Sequence, residues 1–427
     1  MRRDRTLKRR RSHARQFAIL AVAALVASAC GGSSTGSPPT TKGVSGAPKT
    51  TTSPKAASGE PVKVMQLIYE DLTKGIALPE DKAAVRGRID RLNADGGVLG
   101  RPVNIDLCVA GFDVNKADEC AQRAVDGHYL AFIGSAFAAG DSWMKIVEKA
   151  GIPVLLSTPL VPYDYQSPVS FPVIGGGVSY IQGTASYLAD VTGAKKIVLA
   201  YSDSAAGAAL LAEIKDPLAA RGLTLAKAIP VTRNKPDQSA DVQLAVASGD
   251  GVSLGLSGAD LAQWVTLLKA QGLQYPVTAI ALGPALVKSL GPANTSGLPA
   301  VAVFAPNDSK VVGLKEYLGD QAAVDPALKS SEEAKGAWAS AELFAETTAK
   351  MSEVSPKALL DVLKATSSFD AGGLIFKVDF TGKPALPQYP RLFNNMVQYV
   401  VVNTNGQGFS TGKSGGKFVD PIVPQHG

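Results

Sequence analysis

The sequence predicts an α/β protein whose sheets are mainly parallel and covered by helices on both faces. After residue 60, short apolar runs alternate with longer segments of helical periodicity. This alternation is typical of parallel strands joined by crossover helices. About 365 residues remain after residue 60, which exceeds one ordinary hydrophobic core and predicts two lobes.

The first part of this region predicts four strands and the helices between them. The strands are residues 62–69, 103–107, 130–133 and 154–156. A helix over residues 81–93 has its apolar side chains on one side, and a second helix is predicted over residues 116–125. We expect ligands of such a sheet to bind beyond the carboxyl ends of its strands.

The alternation continues and then changes character. The next strands are residues 197–201, 223–229, 252–256 and 277–281, with helices at 205–221 and 260–271. Towards the C-terminus, helices are predicted at 332–348 and 355–366, strands at 372–380 and 396–403, and a turn at Asn405-Gly406. Low hydrophobic content after Phe409 predicts a loose tail over residues 411–427.

The N-terminus has the pattern of a bacterial lipoprotein leader. Eight Arg and Lys residues, against Asp4 alone, precede the apolar residues 17–29. As a helix this run rises only about 20 Å, less than a hydrocarbon core of about 30 Å, so we expect residues 1–29 to be cleaved as a signal peptide. The small residues before Cys30 resemble a lipobox and predict a lipid on Cys30. Ala27 stands where a lipobox usually has Leu, which leaves ordinary cleavage as the alternative.

The leader also accounts for the basic charge. The whole chain has a net charge of +6, and residues 1–29 contribute +7 of it, so the remainder is near −1. Basic residues do not cluster in the rest of the chain, as they do in a protein that binds nucleic acid. We therefore expect no nucleic-acid partner.

A tether and one disulfide are predicted next. Residues 31–60 are almost wholly Gly, Ser, Thr, Pro, Lys and Ala, so residues 30–60 form a disordered, lipid-anchored tether in this interpretation. With Cys30 acylated, Cys108 and Cys120 remain as an even pair, which in an oxidising compartment predicts one disulfide. Two unrelated buried thiols are the alternative.

Five segments resemble, in order, the branched-chain amino-acid type of ABC-transporter solute-binding protein. They are RLNADGGVLGRPV at 91–103, AFIGS at 131–135, AGIPVLLST at 150–158, KIVLAYSDSAAG at 196–207 and LLKAQGLQYP at 267–276. The resemblance covers most of residues 62–400. It implies the type I periplasmic-binding fold, with two Rossmann-like lobes joined by three crossovers near residues 174–180, 305–312 and 365–372, and closure of the lobes around a ligand.

The resemblance also implies an organisation and a function. Lobe 1 would comprise residues 61–176 and 310–368, and lobe 2 residues 177–309 and 369–410. The protein would act outside the cytoplasm as a monomer without a cofactor, held to the cell membrane by its lipid. It would deliver a branched-chain amino acid, or a small aromatic or aliphatic carboxylate, to an ABC permease. A lipoprotein that senses the ligand and signals to a membrane partner is the alternative.

The sequence offers weak support for catalysis or metal binding. Gly251-Val252-Ser253-Leu254-Gly255 matches the nucleophile elbow of a serine hydrolase, with His426 following it. However, this segment also reads as a strand, whereas an elbow needs Ser253 at a sharp turn. His128 and His426 are the only histidines after the leader, and no close group of His and Cys suggests a metal site.

Candidate ligand contacts from lobe 1 follow its strands. By resemblance, hydroxyl groups and main-chain N–H groups in residues 135–142 and 157–161 would bind a ligand carboxylate. The candidates are Ser135, Ser142, Ser157 and Thr158, with Tyr69 at the rim and Phe137 stacking on the ligand. Ser142 and Ser157 have a helix cap or a turn as the alternative role. Apolar residues replace paired hydroxyls in these loops, which favours an aliphatic or aromatic ligand.

Candidate contacts from lobe 2 follow two further strands. Tyr201 and Asp203 follow one strand, and Ser257 and Asp260 follow the next. Either carboxylate is a candidate partner for a ligand ammonium group, because a buried carboxylate needs a partner. Asp260 has a first-turn role in the following helix as its alternative, which favours Asp203.

Overall fold

The computed structural model describes residues 56–74, 76–403 and 408–425. The predicted signal peptide, Cys30, most of the tether, the turn at Asn405-Gly406 and His426 lie outside the described residues. In the part of the chain that is described, no helix is both long enough and apolar enough to cross a membrane.

The described residues form two β-sheets with helices on their faces. The strands are β1 (Val62–Ile68), β2 (Val103–Val109), β3 (Ala131–Ser135), β4 (Val154–Leu156), β5 (Ile197–Ser202), β6 (Lys227–Val231), β7 (Gly251–Gly255), β8 (Val277–Thr278), β9 (Pro299–Ala302), β10 (Gln398–Val402) and β11 (Phe409–Thr411). The helices are α1 (Pro79–Ala94), α2 (Val114–Asp126), α3 (Ser142–Lys149), α4 (Gly176–Ser186), α5 (Ala205–Glu213), α6 (Lys215–Ala219), α7 (Ser239–Ser248), α8 (Gly258–Lys269), α9 (Pro284–Leu290), α10 (Pro292–Thr295), α11 (Val312–Val324), α12 (Glu332–Thr348) and α13 (Pro356–Ala365).

The first sheet is parallel throughout, in the order β2-β1-β3-β4. Successive side chains of a strand point to opposite faces of the sheet. Because these strands are apolar on both faces, helices cover both faces. Val62 and Val64 of β1 pack in the apolar cluster that includes residues of α1 and α12. Met65 and Leu67 pack instead in the cluster that includes residues of α2 and α3. Both faces are therefore apolar cores, as the uninterrupted apolar run predicts.

A disulfide fixes helix α2 to this sheet. Cys108 of β2 and Cys120 of α2 are bonded, with their Cα atoms 6.3 Å apart. Both residues are buried. The pairing is the one that the cysteine count predicts.

The second sheet is mixed, in the order β11-β10-β9-β8-β7-β5-β6. Strands β5 to β9 are parallel, whereas β10 runs antiparallel to β9 and β11 antiparallel to β10. Together the two sheets confirm the predicted fold class, an α/β protein with parallel-rich sheets. Strands β1 to β4 lie within the range predicted for lobe 1, and the lobe boundaries themselves stay a proposal.

Chain segments that connect the two sheets lie side by side and are hydrogen-bonded to one another. Ala305 N donates to Leu374 O at 2.8 Å, and Gly313 N donates to Gly372 O at 3.0 Å. The Asn394 side chain donates to Val173 O at 3.1 Å. Asn395 contacts both Ser179 and Gln182 of α4, each at 2.7 Å. These contacts cross the region where hinge motion would occur in a fold of this kind.

Four predicted elements differ from those observed. The strand predicted at 223–229 lies instead at Lys227–Val231, and the strand predicted at 277–281 ends at Thr278, after which Ala279–Ala281 form a 3-10 helix. Residues 372–380 do not form a strand: Ala371, Gly372 and Gly373 all have positive φ angles, of 51°, 65° and 82°, which turn the chain, and only an isolated bridge joins Phe369 to Val378. The helix predicted at 205–221 is broken into α5 and α6. Pro217 lacks the N–H that would continue the helical bonding across the break.

The C-terminal residues 408–425 are not the loose tail expected from their low hydrophobic content. Strand β11 pairs with β10, and Val397 and Val419 exchange main-chain hydrogen bonds of 2.9 and 2.8 Å. Arg221 donates to Pro421 O at 3.0 Å and to Val423 O at 3.2 Å. Hydrogen bonds hold most of this segment in place, together with a few apolar side chains, Phe409, Val419 and Ile422, that pack against the core. The low overall hydrophobic content therefore did not predict its order.

Candidate ligand-binding site

The hydroxyl groups predicted on lobe 1 meet at the carboxyl edge of the first sheet. Ser157 Oγ donates to Ser135 O at 3.1 Å, and Ser135 Oγ accepts from Leu67 N at 3.0 Å. Ser135, Ser157 and Thr158 are all buried, with exposed fractions of 0%, 2% and 3%. The two serine hydroxyls therefore already have partners in the main chain, and they support the edge of the sheet.

Phe137 and Ser142 lie elsewhere. The Phe137 side chain is 1% exposed and belongs to the apolar cluster between the sheet and helices α2 and α3, together with Trp143. Ser142 begins α3, and its hydroxyl donates to Asp118 at 2.6 Å. The structure does not bring either residue to the serine pair.

The candidates from the second sheet have different environments. Asp203 is exposed, and its main-chain N–H donates to Val231 O at 2.9 Å. Ser257 is exposed and precedes α8 without a side-chain capping bond. Tyr201 is half-buried at the end of β5. Among the described residues, none of the three forms a hydrogen bond or ion pair with the first sheet.

Asp260 performs the first-turn role that the sequence left open. Its carboxylate accepts from Asn234 N at 3.0 Å and from the Gln238 side chain at 2.5 Å. The residue is 4% exposed. Asp260 thus fixes the loop that follows β6 against α8. Its carboxylate oxygens accept hydrogen bonds from the protein itself and not from a ligand.

Tyr69 contacts a group of acidic residues, Glu80, Asp81 and Glu333, that the sequence analysis missed. It stands at the end of β1, its ring contacts Phe112 at a centroid distance of 5.9 Å, and its hydroxyl donates to Glu333. Glu333 lies in the first turn of α12. Asp81 and Glu80 lie in the first turn of α1. All of these elements meet at the carboxyl edge of the first sheet.

The position of α12 explains how Glu333 reaches this edge. Further along the helix, Ser340 Oγ donates to Leu155 O at 2.7 Å and accepts from Gly134 N at 2.7 Å. Gly336 packs on the main chain of Ser157, so closely that a Cβ atom there would lie 2.6 Å from the Ser157 oxygen. The helix therefore runs back across the sheet, and its N-terminus lies beyond the carboxyl ends of β3 and β4.

Burial changes the acidity of this group. Asp81 is 5% exposed, and its burial, followed by the charges of Glu333 and Glu80, raises its pKa well above the usual range. Burial also raises the pKa of Glu333, which the hydrogen bond from Tyr69 opposes and Glu80 reinforces. Glu333 is half-buried, so part of its side chain still reaches solvent.

Two buried polar groups lie next to this group and face each other. Tyr180 of α4 is 2% exposed, and its hydroxyl lies beside the Glu332 carboxylate. Glu332 is 3% exposed, and its Oε1 also accepts from Lys335 at 3.0 Å. Burial first, and then the nearby carboxyl groups of Glu332 and Glu333, raise the pKa of Tyr180.

An open surface pocket lies beside Tyr69. It has a volume of about 720 Å³ and is formed by the residues that follow β1 and β2 together with the start of α2. Its lining includes Glu70, Asp71, Phe112 and Asn115. Phe112, which contacts the Tyr69 ring, is one of the residues that line this pocket.

The hydrolase motif does not form a nucleophile elbow. Ser253 lies within β7, is fully buried, and its Oγ is 2.6 Å from the hydroxyl of Thr184. An elbow would expose the serine at a turn after the strand. Within the described ranges, no group of His, Cys, Asp and Glu residues is arranged to hold a metal ion.

Glu333, Asp81 and Tyr180 were missed because their sequence contexts are ordinary. Glu332 and Glu333 follow Ser331, which caps α12, and acidic residues in a first helical turn usually serve the helix dipole. Glu80 and Asp81 occupy the same position in α1. Sequence alone gives no signal that Tyr69 and Glu333, 264 residues apart, share a hydrogen bond.

Comparisons with known proteins agree with this architecture. A family described as periplasmic binding protein matches residues 74–390. No curated protein sequence matches this chain significantly. A substrate-binding periplasmic protein from Ralstonia solanacearum has 20% sequence identity and a TM-score of 0.68, with 82% of this chain and 99% of that chain covered.

Two further solved structures differ in the ligands that their names state. The branched-chain amino acid transporter substrate binding protein LivJ from Streptococcus pneumoniae, in complex with isoleucine, has 15% identity and a TM-score of 0.66, covering 82% of this chain and 98% of its own. A fatty acid ABC transporter substrate-binding protein from Thermomonospora curvata has 16% identity and a TM-score of 0.68, covering 86% and 97%. At these identities the similarity establishes the fold.

Proposed function

This chain belongs to the family of periplasmic binding proteins, and on that premise we propose that it captures a small solute outside the cytoplasm and delivers it to an ABC importer. The observation that carries the proposal is the convergence of polar side chains at the carboxyl edge of the first sheet, beside a hydrogen-bonded group of interlobe connections. Ligands of open parallel sheets bind at this edge. Hinge closure then requires a ligand that contacts both lobes, because only such contacts favour the closed state.

The proposed ligand is a branched-chain amino acid or a small aromatic or aliphatic carboxylate. The loop after β3 supports an apolar ligand, since its partly exposed residues Ala138 and Ala139 carry no polar side chain. Isoleucine bound to the Streptococcus pneumoniae protein and the fatty acid specificity named for the Thermomonospora curvata protein both fall within this range. Each of these molecules combines one carboxylate with an aliphatic chain.

We also propose that Cys30 carries the lipid that holds the protein at the membrane. Residues 31–60 would then act as a flexible tether spanning on the order of 30 Å, which leaves the lobes free to reach a permease. Replacing Cys30 by Ser should move the protein from the membrane fraction to the soluble fraction. Retention of the Cys30→Ser protein in washed membranes would contradict the anchor.

A thermal-shift screen of the mature chain tests solute capture. A ligand at 100 times its dissociation constant stabilises the folded state by about 2.7 kcal/mol, which raises the melting temperature measurably. The panel contains amino acids and small carboxylates, with an equal concentration of sucrose as the control for nonspecific stabilisation. A ligand found in this way should also reduce the radius of gyration in small-angle X-ray scattering. If no member of the panel stabilises the protein beyond sucrose, the proposed ligand range is wrong.

A further inference from the structure

The C-terminal segment, residues 408–425, contacts the connections between the two sheets. The chain passes between the sheets three times: a first connection joins β4 to α4, a second joins β9 to α11, and a third joins α13 to β10. Hinge motion in a fold of this kind is concentrated in such connections, because a few of their residues absorb the change in main-chain angles. A segment that is bonded to several connections can therefore influence how the lobes move.

The first residues of the segment are bonded to the second connection. Asn307 N donates to Phe409 O at 2.7 Å. The Asp308 carboxylate accepts from the main-chain N–H and from the hydroxyl of Thr411, each at 3.0 Å. The Asn307 side chain also accepts from Lys335 of α12 at 3.3 Å. Asn307 thus joins a helix that covers the first sheet to a strand of the second sheet.

The middle of the segment contacts the third connection. Val419 exchanges main-chain hydrogen bonds of 2.9 and 2.8 Å with Val397, the residue that immediately precedes β10. The ring of Phe418 packs on the ring of Phe376, with the two centroids 6.0 Å apart. Both partners belong to the stretch between α13 and β10, so this connection is held at two separate points.

Ile422 brings the segment to the first connection. It packs against a small apolar cluster that combines Tyr165 of the first connection with Leu386 and Leu392 of the third and with Val178 of α4. The C-terminal segment therefore reaches all three connections, although it is only a short stretch of chain.

A buried ion pair fixes the far end of the segment to helices of the second sheet. Arg221, which follows α6, donates to Pro421 O at 3.0 Å and to Val423 O at 3.2 Å. It is paired with Asp190 at 2.6 Å, and only 5% and 8% of the two side chains are exposed. Asp190 also accepts from Gln425 N at 3.1 Å. The segment is thus attached to the second connection at one end and to the body of the second sheet at the other.

We propose that the C-terminal segment restrains the hinge, with the Arg221–Asp190 pair as its anchor. Its contacts favour the arrangement of the three connections seen in this structure, because a hinge motion that changes their main-chain angles has to break or distort these contacts. The segment then contributes to the free-energy difference between open and closed lobes, and so to the fraction of molecules that are competent to bind. This inference goes beyond the proposed function, since it concerns the motion of the lobes and not the identity of the solute.

Two variants release the segment from the connections. Deletion of residues 413–427 removes the chain after β11; within residues 413–425 only Pro421 is buried, so we expect both sheets to fold. Asp308→Ala/Phe418→Ala keeps the whole chain and removes an exposed carboxylate and a half-buried ring. The second variant serves if the shortened chain does not fold.

Pulsed electron paramagnetic resonance measures the separation of the two sheets without any ligand. Spin labels are introduced by Lys149→Cys on α3 and Gln243→Cys on α7, both exposed positions, in a mature chain that carries Cys30→Ser. We expect one narrow distance distribution for this parent chain. Both released variants should give a broader distribution, or a mean distance shifted by more than about 2 Å.

The matched control is Arg123→Gln. It breaks an ion pair of 3.0 Å between Arg123 of α2 and Asp106 of β2, with 49% and 34% of the two side chains exposed. This pair lies within the first sheet and its own helix, so we expect the distance distribution of the parent chain to be kept. A control that broadens the distribution as much as the released variants would refute a specific role for the segment.

Hydrogen exchange of the Val397 amide reports whether the segment has been released, since this N–H donates to Val419 O. If the Val397 amide exchanges faster in a variant while the distance distribution stays that of the parent chain, the segment does not restrain the hinge. If the amide stays equally protected in both variants, these contacts do not hold the segment, and the proposal is again refuted. No ligand enters the measurement, so a solute screen without any binder would overturn the proposed function and leave this result standing.

Discussion

Lys335 provides the sharpest test of how the first sheet is attached to the connections between the sheets. Its amine donates to Glu332 Oε1 at 3.0 Å, to Ala305 O at 3.0 Å and to Asn307 Oδ1 at 3.3 Å. The side chains of Lys335 and Glu332 are each 1% exposed. Lys335 therefore joins α12 to the chain segment that leaves β9.

Replacing Lys335 by Met should destabilise the fold by about 3–5 kcal/mol. The substitution keeps the apolar stem but leaves the Glu332 carboxylate buried without a cation, together with two unpaired acceptors, and breaking a buried ion pair from one side has a cost of this size. The double variant Glu332→Gln/Lys335→Met removes both charges and should recover more than half of the loss.

Urea unfolding followed by tryptophan fluorescence measures this loss, since Trp338 is buried in α12 itself. Lys357→Met is the matched control, because Lys357 pairs with Asp361 at the surface with 82% and 59% of the two side chains exposed. We expect the control to change the free energy of unfolding by less than about 0.5 kcal/mol. If Lys335→Met costs no more than Lys357→Met, the buried amine does not hold these elements together.

Three further predictions concern the pH dependence, the sheet edge and the disulfide. Burial raises the pKa of Asp164 to about 7, so between pH 4 and 7 the folded protein keeps a proton on Asp164 that the unfolded chain has released. The free energy of unfolding should therefore fall as the pH rises from 4 to 7, by up to about 4 kcal/mol. An Asp164→Asn protein that loses as much stability over this range would refute the assignment. Ser157→Ala should lower the free energy of unfolding by about 1 kcal/mol and leave the ligand affinity, measured by calorimetry, within twofold. A large loss of affinity would instead show that Ser157 contacts the ligand. Reduction of the Cys108–Cys120 bond should lower the free energy of unfolding by roughly 3 kcal/mol. Urea unfolding with and without reductant measures this change. An unchanged midpoint would show that the bond does not constrain the unfolded chain.

The sequence predicted the sheets well because their signal is local. An apolar run such as residues 62–69 followed by an amphipathic helix admits few arrangements other than a parallel strand and its crossover. The strand predicted at residues 372–380 is wrong for a local reason as well. Leu374, Ile375 and Phe376 carry the apolar signal of a strand, but three successive residues with positive φ turn the chain before they can extend.

The site was predicted less well because its chemistry depends on partners far away in the chain. From the sequence, Asp260 is a candidate free carboxylate. In the structure, the loop that contains Asn234 and Gln238 lies beside it and supplies its hydrogen-bond donors. Phe137 follows a strand end, as a ligand contact should, but packing with Trp143 buries it. The group around Glu333 is assembled from β1, α1 and α12, and no pattern within any one of these segments indicates the other two.

The late position of α12 and β10 in the chain has a consequence for folding during secretion. If the chain emerges from the cell N-terminus first, as its leader predicts, strands β1 to β4 appear early, but α12, which covers one of their faces, follows more than 150 residues later. The second sheet likewise lacks β10 and β11 until almost the whole chain has emerged. The core between the first sheet and α12 therefore cannot close before the C-terminal third of the chain has emerged, whereas the core between this sheet and helices α2 and α3 can form early.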